Sequence, residues 1–250
     1  MKRCIIAVIY FVLCSFCSPV KAETVLKYNV NGSSNWVPYY IAHSPDNPGI
    51  LGELVPLILA TANIKIEKHN FPPKRTNYAL DTGLLDFDFV SPSWFPNDDL
   101  GELFVQSSPL LIIQENIITL DEHAKNWQNI DQLKGKEIGT VRGYLYHDDA
   151  NFTRVDFISE RELIKALYKD RVKAAISGDL PALYWAKQLN SPITLAAVHS
   201  KGQLVMRLRK EHAALLPRIN AAIDELQSNG TIKRIIDKYT KQEVFEHLAQ

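Results

Sequence analysis

The residues best suited to chemistry stand in one run, Asp131-Gln-Leu-Lys-Gly-Lys-Glu-Ile-Gly-Thr-Val-Arg-Gly-Tyr144. A glycine turn at Gly135, a short buried strand through Ile138 and Val141, and an Arg142-Gly143 loop that opens the next helix would aim free backbone N–H groups and a guanidinium at one point. That arrangement suits a small polar or anionic ligand. Other chemistry is poorly represented. The chain has no Gly-x-Ser-x-Gly elbow, no phosphate loop ending in Gly-Lys-Ser/Thr and no His-Glu-x-x-His. Its seven histidines are scattered without metal-ligand spacing. His147 beside Asp148 and Asp149 reads as a solvated face, and Asp98-Asp99 as an exposed acidic turn. No metal and no cofactor are expected.

Stepping outward, the chain alternates strand-like and helix-like stretches. Val25 to Tyr28 reads as a strand, and Gly32 to Asn35 as a polar loop before Trp36-Val-Pro-Tyr-Tyr40. Leu54, Leu57, Ile58 and Ala62 recur at helical spacing, and Ile64 to His69 alternates like a strand. Two later stretches look like variants of one unit: Thr76 to Leu80, Gly83, then a strand to Ser91, and Glu162 to Leu167, Asp170, then a strand to Ser177. Each is an amphipathic helix, a tight turn and a buried strand. In open α/β sheets ligands sit beyond the carboxyl ends of such strands, which marks Ser91 and Ser177 to Asp179 as rims. The C-terminal part predicts a strand over Leu204 to Leu208, a helix capped at Asn229-Gly230, and a last helix with Thr231 as its N-cap. The whole predicts an α/β protein with largely parallel sheets.

The ends and the composition narrow the class. Lys2 and Arg3, an apolar run from Cys4 to Phe16, and Ser18-Pro-Val-Lys-Ala22 predict a secretory signal peptide over 1–22, cleaved after Ala22. The run is short for a membrane span, and the residues before Cys14 and Cys17 do not form a lipobox. All three cysteines fall in this leader, so a mature chain would have neither thiol chemistry nor disulfides. It would carry 25 basic and 28 acidic residues. Such a balance argues against a nucleic-acid partner.

The order and spacing of Leu133-Lys-Gly-Lys-Glu-Ile-Gly-Thr-Val-Arg-Gly143, Ala166-Leu-Tyr-Lys-Asp-Arg-Val172 and Leu216 to Tyr239 resemble the bacterial extracellular solute-binding proteins of family 3. These are periplasmic receptors of polar amino acid ABC transporters. The resemblance implies a periplasmic-binding-protein-like fold, two α/β lobes joined by a two-crossing hinge with a ligand cleft between them. Lobe 1 would comprise 23–112 and 203–250, and lobe 2 would comprise 113–202. It further implies a periplasmic, monomeric, non-enzymatic receptor for a small polar ligand, serving an ABC permease. A sensor handing the signal to a membrane kinase or chemoreceptor and a cyclohexadienyl dehydratase-like enzyme are the alternatives.

The same resemblance assigns binding residues. Trp36 would offer an aromatic face and Tyr39 or Tyr40 a hydroxyl tip. Ser91, Ser93 and Trp94 would surround the ligand, as would Arg142, Gly143 and Tyr144 from lobe 2, and Asp179 would take an ammonium. The family's carboxylate-gripping arginine is missing, because Phe95-Pro-Asn-Asp-Asp-Leu-Gly-Glu-Leu103 contains no basic residue. Arg75 is the candidate replacement. A buried carboxylate lacking such a partner is costly, which points away from an ordinary free amino acid.

Overall fold

The computed structural model describes residues 25–30 and 35–241. The expected signal peptide lies outside these residues. Among them, no helix is long and apolar enough to cross a membrane.

The chain begins with β1 (Val25–Tyr28), in which Leu26 and Tyr28 are buried while Val25 and Lys27 face solvent, the period-two pattern of a strand with one covered face. A two-strand ribbon follows, β2 (Asn35–Trp36) with β3 (Tyr40–Ile41). Helix α1 (Ile50–Thr61) then buries Ile50, Leu51, Leu54, Val55, Ile58 and Leu59, and each of these aliphatics contributes roughly 1.5–3 kcal/mol. Next come β4 (Lys65–Lys68), α2 (Pro73–Asp81) and β5 (Phe87–Val90). β1 pairs in parallel with both β4 and β5. β5 is buried at every position, as a strand covered on both faces requires.

After β6 (Phe104–Gln106) the chain enters a second sheet through β7 (Leu111–Thr119). This sheet holds β8 (Glu137–Val141), β9 (Thr153–Phe157) and β10 (Ala174–Gly178), with helices α3 (Glu160–Tyr168) and α4 (Asp179–Gln188). β11 (Thr194–Arg209) returns to the first sheet, where α5 (Leu216–Ser228) and α6 (Thr231–Thr240) complete the packing.

The strand β11 belongs to both lobes. Residues 194–204 pair with β7, whereas 205–208 pair with β5 and 207–209 with β6. The strand order is therefore continuous, β4-β1-β5-β11-β7-β10-β8-β9. The main core of the first lobe gathers around Leu54, Phe89, Met206 and Ile223, with a smaller cluster of Ala79, Leu80 and Leu85 beside α2. Two cores cover opposite faces of the second sheet. Leu163 and Ala175 lie in one, Ile138 and Ile176 in the other.

The two repeated units form as read: α2, Gly83 at φ +74° and β5 make one, and α3, Asp170 at φ +55° and β10 make the other. Three expectations change. Pairing is parallel on the outer side of each sheet but antiparallel around β7 and β11, because those strands cross between lobes. Thr231 is the first residue of α6, and the N-cap is Gly230 in a left-handed conformation. The Arg142-Gly143 loop opens no helix. Its carbonyls are captured by Arg154, which donates to Val141 O and Tyr144 O at 2.9 Å each, and the chain runs on to β9.

Candidate ligand cleft

A cavity lies at the seam of the two lobes, lined by Trp36 and Trp94 from the first, Tyr144, Leu145 and Gly178 from the second, and Ile113 and Glu115 of the crossing strand β7. It is a narrow slot with about 20 Å³ of space open to water. Trp36 is buried at the ribbon turn, with the Tyr39 ring 4.5 Å and the Trp94 ring 6.3 Å from its own. The indole N–H of Trp94 is buried and finds no acceptor among the described residues. A buried donor of this kind is satisfied by a water or a ligand oxygen.

One carboxylate, that of Glu115, lines this slot, and Asp179 follows the lining residue Gly178. Glu115 is buried, and Oε2 accepts a hydrogen bond from Ser200 Oγ at 2.7 Å and lies 3.8 Å from His199 Nδ1. Asp179 is the first residue of α4, following Gly178, and its Oδ1 accepts from Leu180 N at 2.7 Å. Burial holds the Asp179 carboxyl above its usual range, partly offset by backbone amides and by the charge of Lys201. Tyr39 feels both acids: burial, then Asp179 and Glu115, keep its hydroxyl protonated far above the ordinary range.

The remaining candidates are distributed more widely. Tyr144 lines the cavity while its hydroxyl donates to Glu160. Gly143, at φ +85°, meets the start of α2, and its carbonyl accepts from Asn77 Nδ2 at 3.1 Å. Ser91 and Ser93 bond to each other at 2.8 Å and face Gly202 of β11. Ser93 also lines a separate open groove with Asp98, Lys134, His147 and Asp148. Tyr40 carries Lys68 Nζ above its ring at 3.9 Å. Neither arginine lines the cavity. Arg75 is exposed and stacks on Phe71 at 4.8 Å, and Arg142 is exposed beyond the β8 end.

Sequence reasoning did not single out Glu115, His199 or Ser200. One signal was present: Gln114-Glu115-Asn116 interrupts an otherwise apolar strand, and a buried acid there needs a partner. His199 lies far from His147 and Asp148 in the chain, yet the fold brings one ligand atom of each within 4.8 Å of the others. A second such group is Asp86, Glu211 and His212. In the first, His199 Nε2 already pairs with Asp148 Oδ1 at 2.8 Å. The two carboxylates push its pKa to about 9 against the opposing effect of burial. In this geometry His199 and Asp148 form a buried ion pair.

Residues 28–242 match the family described as bacterial extracellular solute-binding proteins, family 3. A curated relative, the probable amino-acid-binding protein YxeM of Bacillus subtilis (strain 168), is 22% identical over 175 residues. The match covers 66% of this chain and 65% of that protein, so the aligned part falls just short of two thirds of the relative. Among solved structures, the amino acid ABC transporter substrate-binding protein AbpA from Streptococcus pneumoniae, bound to L-arginine, superposes with a TM-score of 0.70 at 17% identity. That match covers 92% of this chain and 98% of AbpA. The ancestral amino acid-binding protein AncCDT-1, a precursor of cyclohexadienyl dehydratase, superposes with a TM-score of 0.67 at 16% identity, covering 87% and 96% of the two chains. At these identities the superpositions speak for the two-lobed fold.

Proposed function

Because this chain belongs to the bacterial extracellular solute-binding proteins, family 3, we propose that it captures a small polar molecule between its lobes and delivers it to an ABC importer. The supporting observation is the cavity at the seam, which draws its lining from both lobes and from β7. A ligand held there touches both lobes only when they close, and closure is the shape change a membrane partner can read. The protein acts as a periplasmic monomer, released by cleavage after Ala22. We read the site as non-enzymatic: among the described residues Glu115 is the one acid lining the slot, with no second acid beside it there to share a proton transfer.

The test is a thermal-shift screen of the purified mature protein against amino acids, amines and other polar metabolites. A ligand that binds only the folded state raises the melting temperature in proportion to its concentration above Kd. The reading predicts saturable stabilisation by a member of the set with no product formed on prolonged incubation. Turnover of the stabilising compound, or stabilisation by none, would overturn it.

A further inference from the structure

We propose that the ligand is a small organic cation, a protonated or quaternary amine that bears no carboxylate. This rests on the receptor reading above and names the ligand class for the same cleft.

The cavity wall is aromatic and its charged groups are acidic. Trp36, Trp94 and Tyr144 line it, and aromatic rings attract ammonium groups through their quadrupoles. Glu115 lines the slot directly, and Asp179 follows the lining residue Gly178. Among the described residues the contacts of the Glu115 carboxylate fall on Oε2, and the proposal assigns Oε1 to a ligand donor.

The opposite charge is nearly missing. Among the described residues no Lys or Arg lines the cavity. Arg75 stacks on Phe71, and Arg142, Lys74 and Lys201 are exposed. Lys201 reaches Asp179 only through its charge, while His199 is held between Glu115 and Asp148. A carboxylate placed in this slot would face Glu115 with no guanidinium in the lining among the described residues, at a large desolvation cost. An ammonium would meet aromatic faces and a carboxylate oxygen. The unsatisfied N–H of Trp94 adds one donor, suited to a neutral hydroxyl or amide oxygen on the ligand.

Matched pairs differing by one α-carboxylate test this directly: putrescine and L-ornithine, agmatine and L-arginine, ethanolamine and L-serine. Each is titrated into the mature protein while tryptophan fluorescence and melting temperature are followed, since Trp36 and Trp94 line the cavity. The proposal expects the amine of at least one pair to bind at least tenfold tighter than its amino acid. Glu115→Gln should weaken that amine at least tenfold, and the variant's near-UV circular dichroism should report native packing. Tighter binding of the amino acid in every pair that binds overturns the proposal and leaves the receptor reading intact. Binding of none of the six also overturns it. The receptor reading falls only if the wider metabolite screen fails as well.

Discussion

Asn77 on α2 of the first lobe donates its side-chain amide hydrogen to the carbonyl of Gly143 on the second, across 3.1 Å. The two lobes are therefore in contact at the mouth of the cleft. A Cβ at Gly143 would overlap the backbone nitrogen of Lys74 and lie 2.9 Å from its Cα. Gly143→Ala should consequently obstruct closure and weaken binding of the best compound in the screen about tenfold or more. Its φ of +85° adds a conformational penalty of about 1 kcal/mol. Calorimetric titration checks the affinity, and small-angle X-ray scattering should show a more open particle. Unchanged affinity would mean that this contact is incidental to binding.

Arg207 of β11 forks onto Asp88 of β5, Nε to Oδ1 at 2.9 Å and Nη2 to Oδ2 at 2.7 Å, with the Phe95 and Phe104 rings beside it. Both residues are buried. Removing one member strands the other charge, so Arg207→Ala should cost about 3–5 kcal/mol in urea unfolding. The double substitution Asp88→Asn with Arg207→Met should cost less than the sum of the single ones. Additive losses would refute the coupling.

A pH dependence follows from His199, whose ring lies between Asp148 at 2.8 Å and Glu115 at 3.8 Å, with His147 and Tyr146 packed against it. Burial alone would depress its pKa, but the carboxylates outweigh burial and raise it from 6.5 to about 9. A pKa raised on folding contributes stability that is complete below pH 6.5 and is lost as the pH climbs through 9. The loss amounts to at most about 3 kcal/mol. Urea midpoints should fall across that interval, and His199→Gln should flatten the fall while lowering stability at pH 6. A slope unaffected by His199→Gln would assign the dependence to other groups.

Gly139 of β8 sits where β10 and α3 press on the strand. A Cβ there would lie 2.9 Å from Ala175 Cβ and from Leu163 Cδ1, and 3.1 Å from Val172 Cγ2. Overpacking of this kind costs about 1–3 kcal/mol. Gly139→Ala should lower the denaturant midpoint by that much while leaving ligand affinity within about twofold, because Gly139 is not among the residues lining the cavity.

The local units were legible in the sequence because their signals are local. Helical spacing identified α1, the turn residues Gly83 and Asp170 fixed the two helix-to-strand units, and Trp36, Trp94 and Tyr144 came from the motif order. What escaped reading depends on contacts distant in sequence. Arg154, 11 residues beyond Gly143, donates to two carbonyls around that loop, a contact that no local pattern reveals. The exposure of Arg75 and Arg142 depends on how the lobes meet. Glu115 and His199 acquire their roles only when β7 and β11 are paired.

The strand β11 has a mechanical consequence. A single 16-residue ladder threads both sheets, with register shifts between Leu195 and Val198 and between Val198 and Ser200. Bending between lobes must be absorbed within a hydrogen-bonded ribbon, which acts as a torsion spring. The two lobes share this strand, 194–204 laddered to β7 and 205–208 to β5, so fraying of the ribbon in one lobe loosens the ladder of the other. Neither half is then autonomous, and chemical denaturation should proceed as one cooperative transition followed alike by fluorescence and by far-UV circular dichroism.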